Sequence, residues 1–161
     1  MRFDNSTVRR QDRLLDEERA RELLRTAEWG LLSMCDEDGA PYGVPVNYVW
    51  DGADALYIHC APEGRKLRCL DSNRRVSFCV VGEVNLLPAK FTTEYESIVL
   101  TGQAVRHLDD EEKYRALELL LDKLSPDDKA VGMKYATASF HRVEIIRLDI
   151  EQWSGKRKVA H

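Results

Sequence analysis

The chain has 161 residues, 43% hydrophobic and 32% charged, and Lys+Arg 24 against Asp+Glu 28 leaves a formal net charge of -4. This is the composition of a single folded domain over 1–161 with a real core, not of a disordered chain. Its mild acidity argues against non-specific nucleic-acid binding; the start, MRFDNSTVRRQDR, has no apolar run, and no stretch nears the roughly 18 apolar residues of a membrane span, so no membrane partner is expected and the cytoplasm is the expected compartment.

Residues 1–13 are polar and read as an arm. Asp16 then holds the place of an N-cap, with Glu17 and Glu18 in the first turn and Leu15 set to staple on Ala20. Ala20, Leu23, Leu24 and Ala27 follow helical spacing, and Gly30 is expected to stop the helix. Strand-like runs follow at 30–35 (GLLSMC), 40–50 and 56–60 (LYIHC), with turns at 36–39 and Asp51-Gly52, and read as a meander of antiparallel strands. Pro41 and Pro45 assign the second run to an edge or a bulge. Residues 65–73 read as a short helix, 76–81 (VSFCVV) as a buried strand, 85–94 as irregular, and 97–105 as a strand bent at Gly102. Asp109 with Glu112 opens a second long helix, with Tyr114, Leu117, Leu121 and Leu124 on one face and Ser125-Pro126 ending it. A further short helix fits 127–135. The last run, 140–153, changes phase at Ile145-Ile146, the mark of a β-bulge, and a basic tail follows over 154–161. The whole is a mainly β domain with peripheral α-helices, a small closed or split antiparallel β-barrel. Strands and helices do not alternate as a parallel doubly wound sheet requires.

The stretch 57–67 (YIHCAPEGRKL) carries the clearest chemistry. A strand runs into a Gly-containing turn that opens a helix, and Arg65 and Lys66 fall in the first turn of that helix. Cations there oppose the helix dipole. Unsatisfied backbone N–H groups beside an Arg fork and a Lys point charge make a seat for one phosphate. A solvated basic pair on a surface turn has the same spacing, so spacing leaves both readings open. His59, on the strand that feeds this turn, faces away from Ile58 and Cys60, either into the barrel or toward a ligand. His107, His141 and His161 lack acidic or Cys partners at ligand spacing, and Cys35, Cys60, Cys69 and Cys79 form no CxxC pair. No metal site is expected, and the thiols read as small buried hydrophobes. The sequence holds no GxSxG elbow, P-loop or GxGxxG.

A set of segments in order then carries a resemblance: 10–13 (RQDR), 28–32 (EWGLL), 38–48 (DGAPYGVPVNY), 56–61 (LYIHCA), 64–67 (GRKL), Asn73 ahead of 76–81, 95–97 (YES), 102–104 (GQA) and Gly155-Lys156. In these the chain resembles the FMN-binding split-barrel superfamily that includes pyridoxamine 5'-phosphate oxidase, and within it the nitroimidazole-resistance proteins. The resemblance implies FMN as cofactor, with Arg65, Lys66 and Leu67 of the GRKL segment at its phosphate. Val46, Asn47, Tyr48 and Val49 match the strand whose backbone lies against the isoalloxazine edge, His59 matches a histidine near the flavin, and Tyr95 and Ser97 fall where the next long strand approaches it. The resemblance also implies a homodimer with the cofactor at the interface, so that Trp153 and Lys156 reach the other subunit's cofactor. The implied chemistry is flavin-mediated reduction of small oxidised organic molecules such as nitroimidazoles, with His59 as the catalytic donor of a proton or hydrogen bond. The C-terminal Arg/His substrate motif of the oxidases that make pyridoxal phosphate has no counterpart in 151–158 (EQWSGKRK), which sets vitamin B6 oxidation aside. A flavin carrier or sensor without turnover, and a split barrel holding another cofactor such as haem, are the alternatives.

Overall fold

Asp16 caps the first helix as its position implies: in a computed structural model describing residues 1–160, its side chain accepts from the Arg19 N–H at 2.8 Å and α1 runs over Glu17–Thr26. Helix α1 ends earlier than expected. Ala27 turns extended and its N–H returns to the Leu23 carbonyl, so Gly30 lies not at a helix end but inside β2 (Trp29–Cys35). β1 (Arg2–Phe3) belongs to the arm, and β3 (Pro41–Asn47), β4 (Val49–Trp50) and β5 (Ala55–Cys60) follow β2. Helix α2 (Arg65–Ser72) then leads to β6 (Arg75–Leu87) and β7 (Thr92–Val105). Helices α3 (Asp110–Leu124) and α4 (Lys129–Ala138) precede β8 (Glu144–Lys158).

One sheet contains every strand, in the order β3-β2-β6-β7-β8-β5-β4, with β1 added in parallel to β8. β3 and β4 stand at opposite ends of that order, yet only Tyr48 separates them in sequence. The two ends of the sheet therefore meet and the sheet closes on itself. The run 40–50 is accordingly two strands rather than one, and β3 is the edge that Pro41 and Pro45 require. The inward faces of the strands, with one face each of α1 and α2, enclose the main core around Leu24, Leu32, Phe78, Leu100 and Trp153.

The structure departs from the sequence-based expectation in four further places. Residues 85–94 are not irregular: β6 and β7 continue as a paired ribbon to Leu87↔Thr92. Ile145-Ile146 is not a bulge, because β5 and β8 pair without interruption from Cys60↔Glu144 to Ala55↔Asp149. Both isoleucines are buried since Ile146 faces the main core and Ile145 a second cluster under α3. The register shift falls instead where Thr101↔Gln152 gives way to Gly102↔Ile150, so Glu151 is the extra residue. A Cβ at Gly102 would meet the Asp149 carbonyl, which is why this crossing takes glycine. On α3 the buried residues are Ala116, Leu117 and Leu120, and Tyr114 is exposed. Finally, most of the basic tail is strand: β8 pairs with β7 as far as Tyr95↔Lys158, while His161 lies outside the described residues.

This arrangement leaves the outer face of the sheet covered on one half only. Helix α3 and the segment after it cover β4, β5 and the start of β8. Over β2, β6 and β7 the outward Trp29, Leu31, Val81 and Val99 stay exposed, Trp29 by 52%. Among the described residues no helix is long and apolar enough to cross a membrane.

Candidate functional site

Gly64 opens α2 with φ +144, a conformation open to glycine and rarely to other residues. Its carbonyl accepts from the N–H groups of Leu67 and Arg68, at 3.1 and 3.2 Å. The amides of Arg65 and Lys66, one step earlier, have no intrahelical carbonyl to meet, and no side chain caps them. The two side chains diverge from this point. Arg65 lies over the Tyr42 ring at 4.3 Å and stands 3.6 Å from Asp36, on the β2–β3 side. Lys66 turns toward β5, where its charge acts on His59 and Cys60. Leu67 is buried and holds the helix to the core.

His59 lies on the outer side of β5 and is exposed, so it does not point into the barrel. Partial burial and then the Lys66 ammonium hold its imidazole below the ordinary histidine value. Burial likewise pushes the Cys60 thiol up, with Lys66 opposing it. Arg106 fixes the far side of this group: it reaches the Leu67 carbonyl at 3.5 Å, Glu144 at 3.4 Å and the Asp71 carboxylate. It thus ties α2 to the start of β8, a role its loop position in the sequence did not signal.

The segment 46–49 splits by alternation. Val46 packs half-buried on the main core. Asn47 is exposed, and its Nδ2 donates to the Glu28 carbonyl at 2.9 Å. Tyr48 is fully buried, donates to the Leu24 carbonyl at 2.7 Å, and packs edge-on against Phe78. Val49 is buried beneath α3. Behind Tyr48 the Lys123 ammonium lies 3.8 Å above the ring, buried and without a hydrogen bond, and burial lowers it to about 8.

A second group forms on the uncovered outer face. Asn47 opposes Trp29, the Leu31–Cys79 pairing carries the row from β2 to Val81 on β6, and Val81 opposes Ser97, which opposes Lys156. Tyr95 is on the same face of β7, with the Lys156 ammonium 5.5 Å from its ring centre. Trp153 is not in this group. It faces inward, buried, with Phe3 edge-on against it at 4.8 Å. Site residues therefore fall into two sets: Arg65, Lys66 and His59 around α2 and β5, and Asn47, Tyr95, Ser97 and Lys156 on the outer sheet. Among the described residues no cluster of His, Cys, Asp and Glu has the makeup of a metal site.

An antiparallel sheet closed on itself, split at β3 and β4, with a Gly-opened basic helix turn at its flank, defines a split β-barrel. The chain belongs to the pyridoxamine 5'-phosphate oxidase family, whose model matches residues 16–157. Solved structures share the fold. A candidate 5-nitroimidazole antibiotic resistance protein from Bacteroides thetaiotaomicron is 24% identical with a TM-score of 0.72, over 90% of this chain and 86% of that one. A FAD-binding protein from Mesorhizobium loti is 26% identical with a TM-score of 0.63, over 91% and 98%. The FAD and heme binding protein from Mycobacterium smegmatis is 22% identical with a TM-score of 0.69, over 93% and 75%. No curated protein matches the sequence.

Proposed function

We propose that the chain is a homodimeric, FMN-dependent oxidoreductase that reduces small oxidised organic molecules, nitroimidazoles among them. The observation that carries this reading is the first turn of α2, where two amides without intrahelical acceptors follow Gly64 and are flanked by Arg65 and Lys66. That donor set fits one phosphate monoester. Arg65 on one side and Lys66 on the other would hold it, and Val46–Val49 would lie along the flavin ring. The flavin-binding relatives among the solved structures support the same cofactor class. When bound, FMN supplies the hydride or electrons. The residues of the chain do the rest: Tyr95 and Ser97 approach the cofactor from the next long strand, Lys156 of one copy reaches the other copy's cofactor, and His59, neutral at pH 7, offers a hydrogen bond to the acceptor. The missing Arg/His motif in 151–158 argues against vitamin B6 as the substrate despite the family's name.

Freshly purified protein is expected to be yellow, and mass spectrometry of the released chromophore to give FMN rather than FAD or haem. Arg65→Ala with Lys66→Ala should lower flavin affinity by more than about a hundredfold, since each of the two charge-assisted contacts is worth about 1.5–3 kcal/mol. Full retention by that variant would remove the phosphate assignment. Reoxidation of the reduced protein by metronidazole without oxygen separates an enzyme from a carrier, which should show none.

A further inference from the structure

Lys123 is a buried cation with no hydrogen-bonded counter-charge. It stands in the last turn of α3, where a cation suits the helix dipole. Its Nζ, however, is closed off from water, lies 3.8 Å from the centre of the Tyr48 ring and meets no hydrogen-bond acceptor. The Tyr48 hydroxyl is already committed to the Leu24 carbonyl, at 2.7 Å. Among the acids on the surrounding elements, Asp122 of α3 is held by Lys129 of α4 at 2.7 Å. Glu28, just ahead of β2, acts on the ammonium through space without an ion pair, and burial outweighs it, bringing the amine down to about 8.

An aromatic face offsets only part of what it takes to strip water from an ammonium. A methionine at this position could lie on the same ring without that penalty, so what Lys123 adds is the charge itself. The charge sits at the split of the barrel, because Tyr48 is the single residue between β3 and β4, the two ends of the sheet. Residues 46–49 around it are the ones that the reductase reading above lays along the flavin ring. Reduction of a flavin takes two electrons and one proton from an external reductant and leaves the ring one unit more negative. A fixed cation in partly dehydrated surroundings acts on such a charge with little screening.

We propose that Lys123 is a resident counter-charge that favours the reduced form of a flavin bound at the split of the barrel. It sets the cofactor's potential from behind Tyr48 and is not a catalytic residue. The inference rests on the reading that places the flavin along 46–49.

Reductive titration against a reference dye, without oxygen, compares the protein saturated with FMN to its Lys123→Met and Lys123→Arg variants. Lys123→Met is expected to bind oxidised FMN within about threefold of the unmodified protein. It should lose at least about tenfold of the preference for the reduced form, a fall of about 30 mV in the two-electron midpoint potential at pH 7. Lys123→Arg keeps the charge and should hold the midpoint. The gap between the Met variant and the unmodified protein should narrow as pH rises above about 8. Unfolding, with oxidised FMN saturating both proteins, gives a readout free of redox chemistry. The folded amine lies below its ordinary value of 10.5, so between about pH 8 and 10.5 the unfolded chain binds more protons and stability rises with pH. Lys123→Met should therefore be the more stable protein at pH 7 and lose that advantage by about pH 10.5. Equal midpoints for the Met variant and the unmodified protein, or an Arg variant that falls with the Met variant, overturn the counter-charge and leave the flavin reading standing. A Met variant that is less stable at pH 7, or fails to fold, shows the ammonium to be paired and also overturns it. A protein that takes up no FMN overturns both.

Discussion

His59 is the group of the α2–β5 set whose protonation responds nearest neutral pH. The imidazole is partly desolvated and lies within the field of the Lys66 ammonium, and both disfavour its charged form. Its folded-state pKa is therefore below the ordinary value of about 6.5. The native state binds fewer protons than the unfolded chain between those two values. The stability this contributes is present above about pH 6.5 and is lost as pH falls through the folded pKa. An NMR titration of the His59 ring should show a midpoint below about 6.5, and Lys66→Gln should raise it by removing the second cause. A midpoint that Lys66→Gln leaves in place would separate the two residues and weaken the picture of His59 as a neutral donor beside the phosphate seat. The same geometry limits what His59 can do. A neutral imidazole at pH 7 orients or polarises an acceptor; it is a poor reservoir of protons.

At the scale of elements, α1 is fastened to the barrel by a buried ion pair. Glu96 of β7 is buried, and Arg19 of α1 grips it through hydrogen bonds of 3.0 and 2.6 Å. The hydrogen bonds from Arg19 are the main reason the Glu96 carboxyl lies below the usual carboxylate range. Arg19→Ala leaves that carboxylate buried and unpaired, so it should cost about 3 kcal/mol in urea unfolding at pH 7. Its folded pKa being depressed, the pair's contribution is lost on acidification, so the gap between the two proteins should close as pH drops below about 4. A loss under about 1 kcal/mol would mean the pair is solvated. Arg19 and Glu96 are far apart in sequence and neither looks buried from its own surroundings, which marks the limit of pattern reading. The caps at Asp16 and Asp109 and the GRKL turn were legible because a few adjacent residues decide them. The edge at β3 was legible because proline removes a donor wherever it sits. Alternation misled at Ile145-Ile146, where the sheet is covered on both faces, so that burial no longer reports a single side. It also hid the ribbon beyond Val81, whose strands leave the barrel and alternate against solvent. Tyr48 and Trp153 carry polar atoms that suit a ligand site as well as a core, and only the closed sheet shows both facing inward.

At the scale of the whole molecule, the uncovered half of the outer sheet sets the final expectation. α3 and α4 stand over one half of that face, whereas Trp29, Leu31, Val81 and Val99 sit together on the other and continue along β6 to Val84 and Leu86, the last 68% exposed. Three adjacent strands that show apolar residues to water at successive positions form a patch, and such patches mark association surfaces. The proposed dimer places a second copy here, since a self-complementary interface is built from one such patch on each partner. Trp29→Glu with Val99→Lys should then convert a dimer to a monomer in light scattering at micromolar concentration. The fold itself should survive, because both side chains point away from the core, and circular dichroism checks that. If the cofactor also needs residues from both copies, flavin retention should fall in the same variant and, for the unmodified protein, should decline on dilution in step with dissociation. A monomeric unmodified protein, or a charged variant that stays dimeric, would place the contact elsewhere. Retention of flavin by a folded monomer would show that the α2 turn holds the cofactor without a second chain.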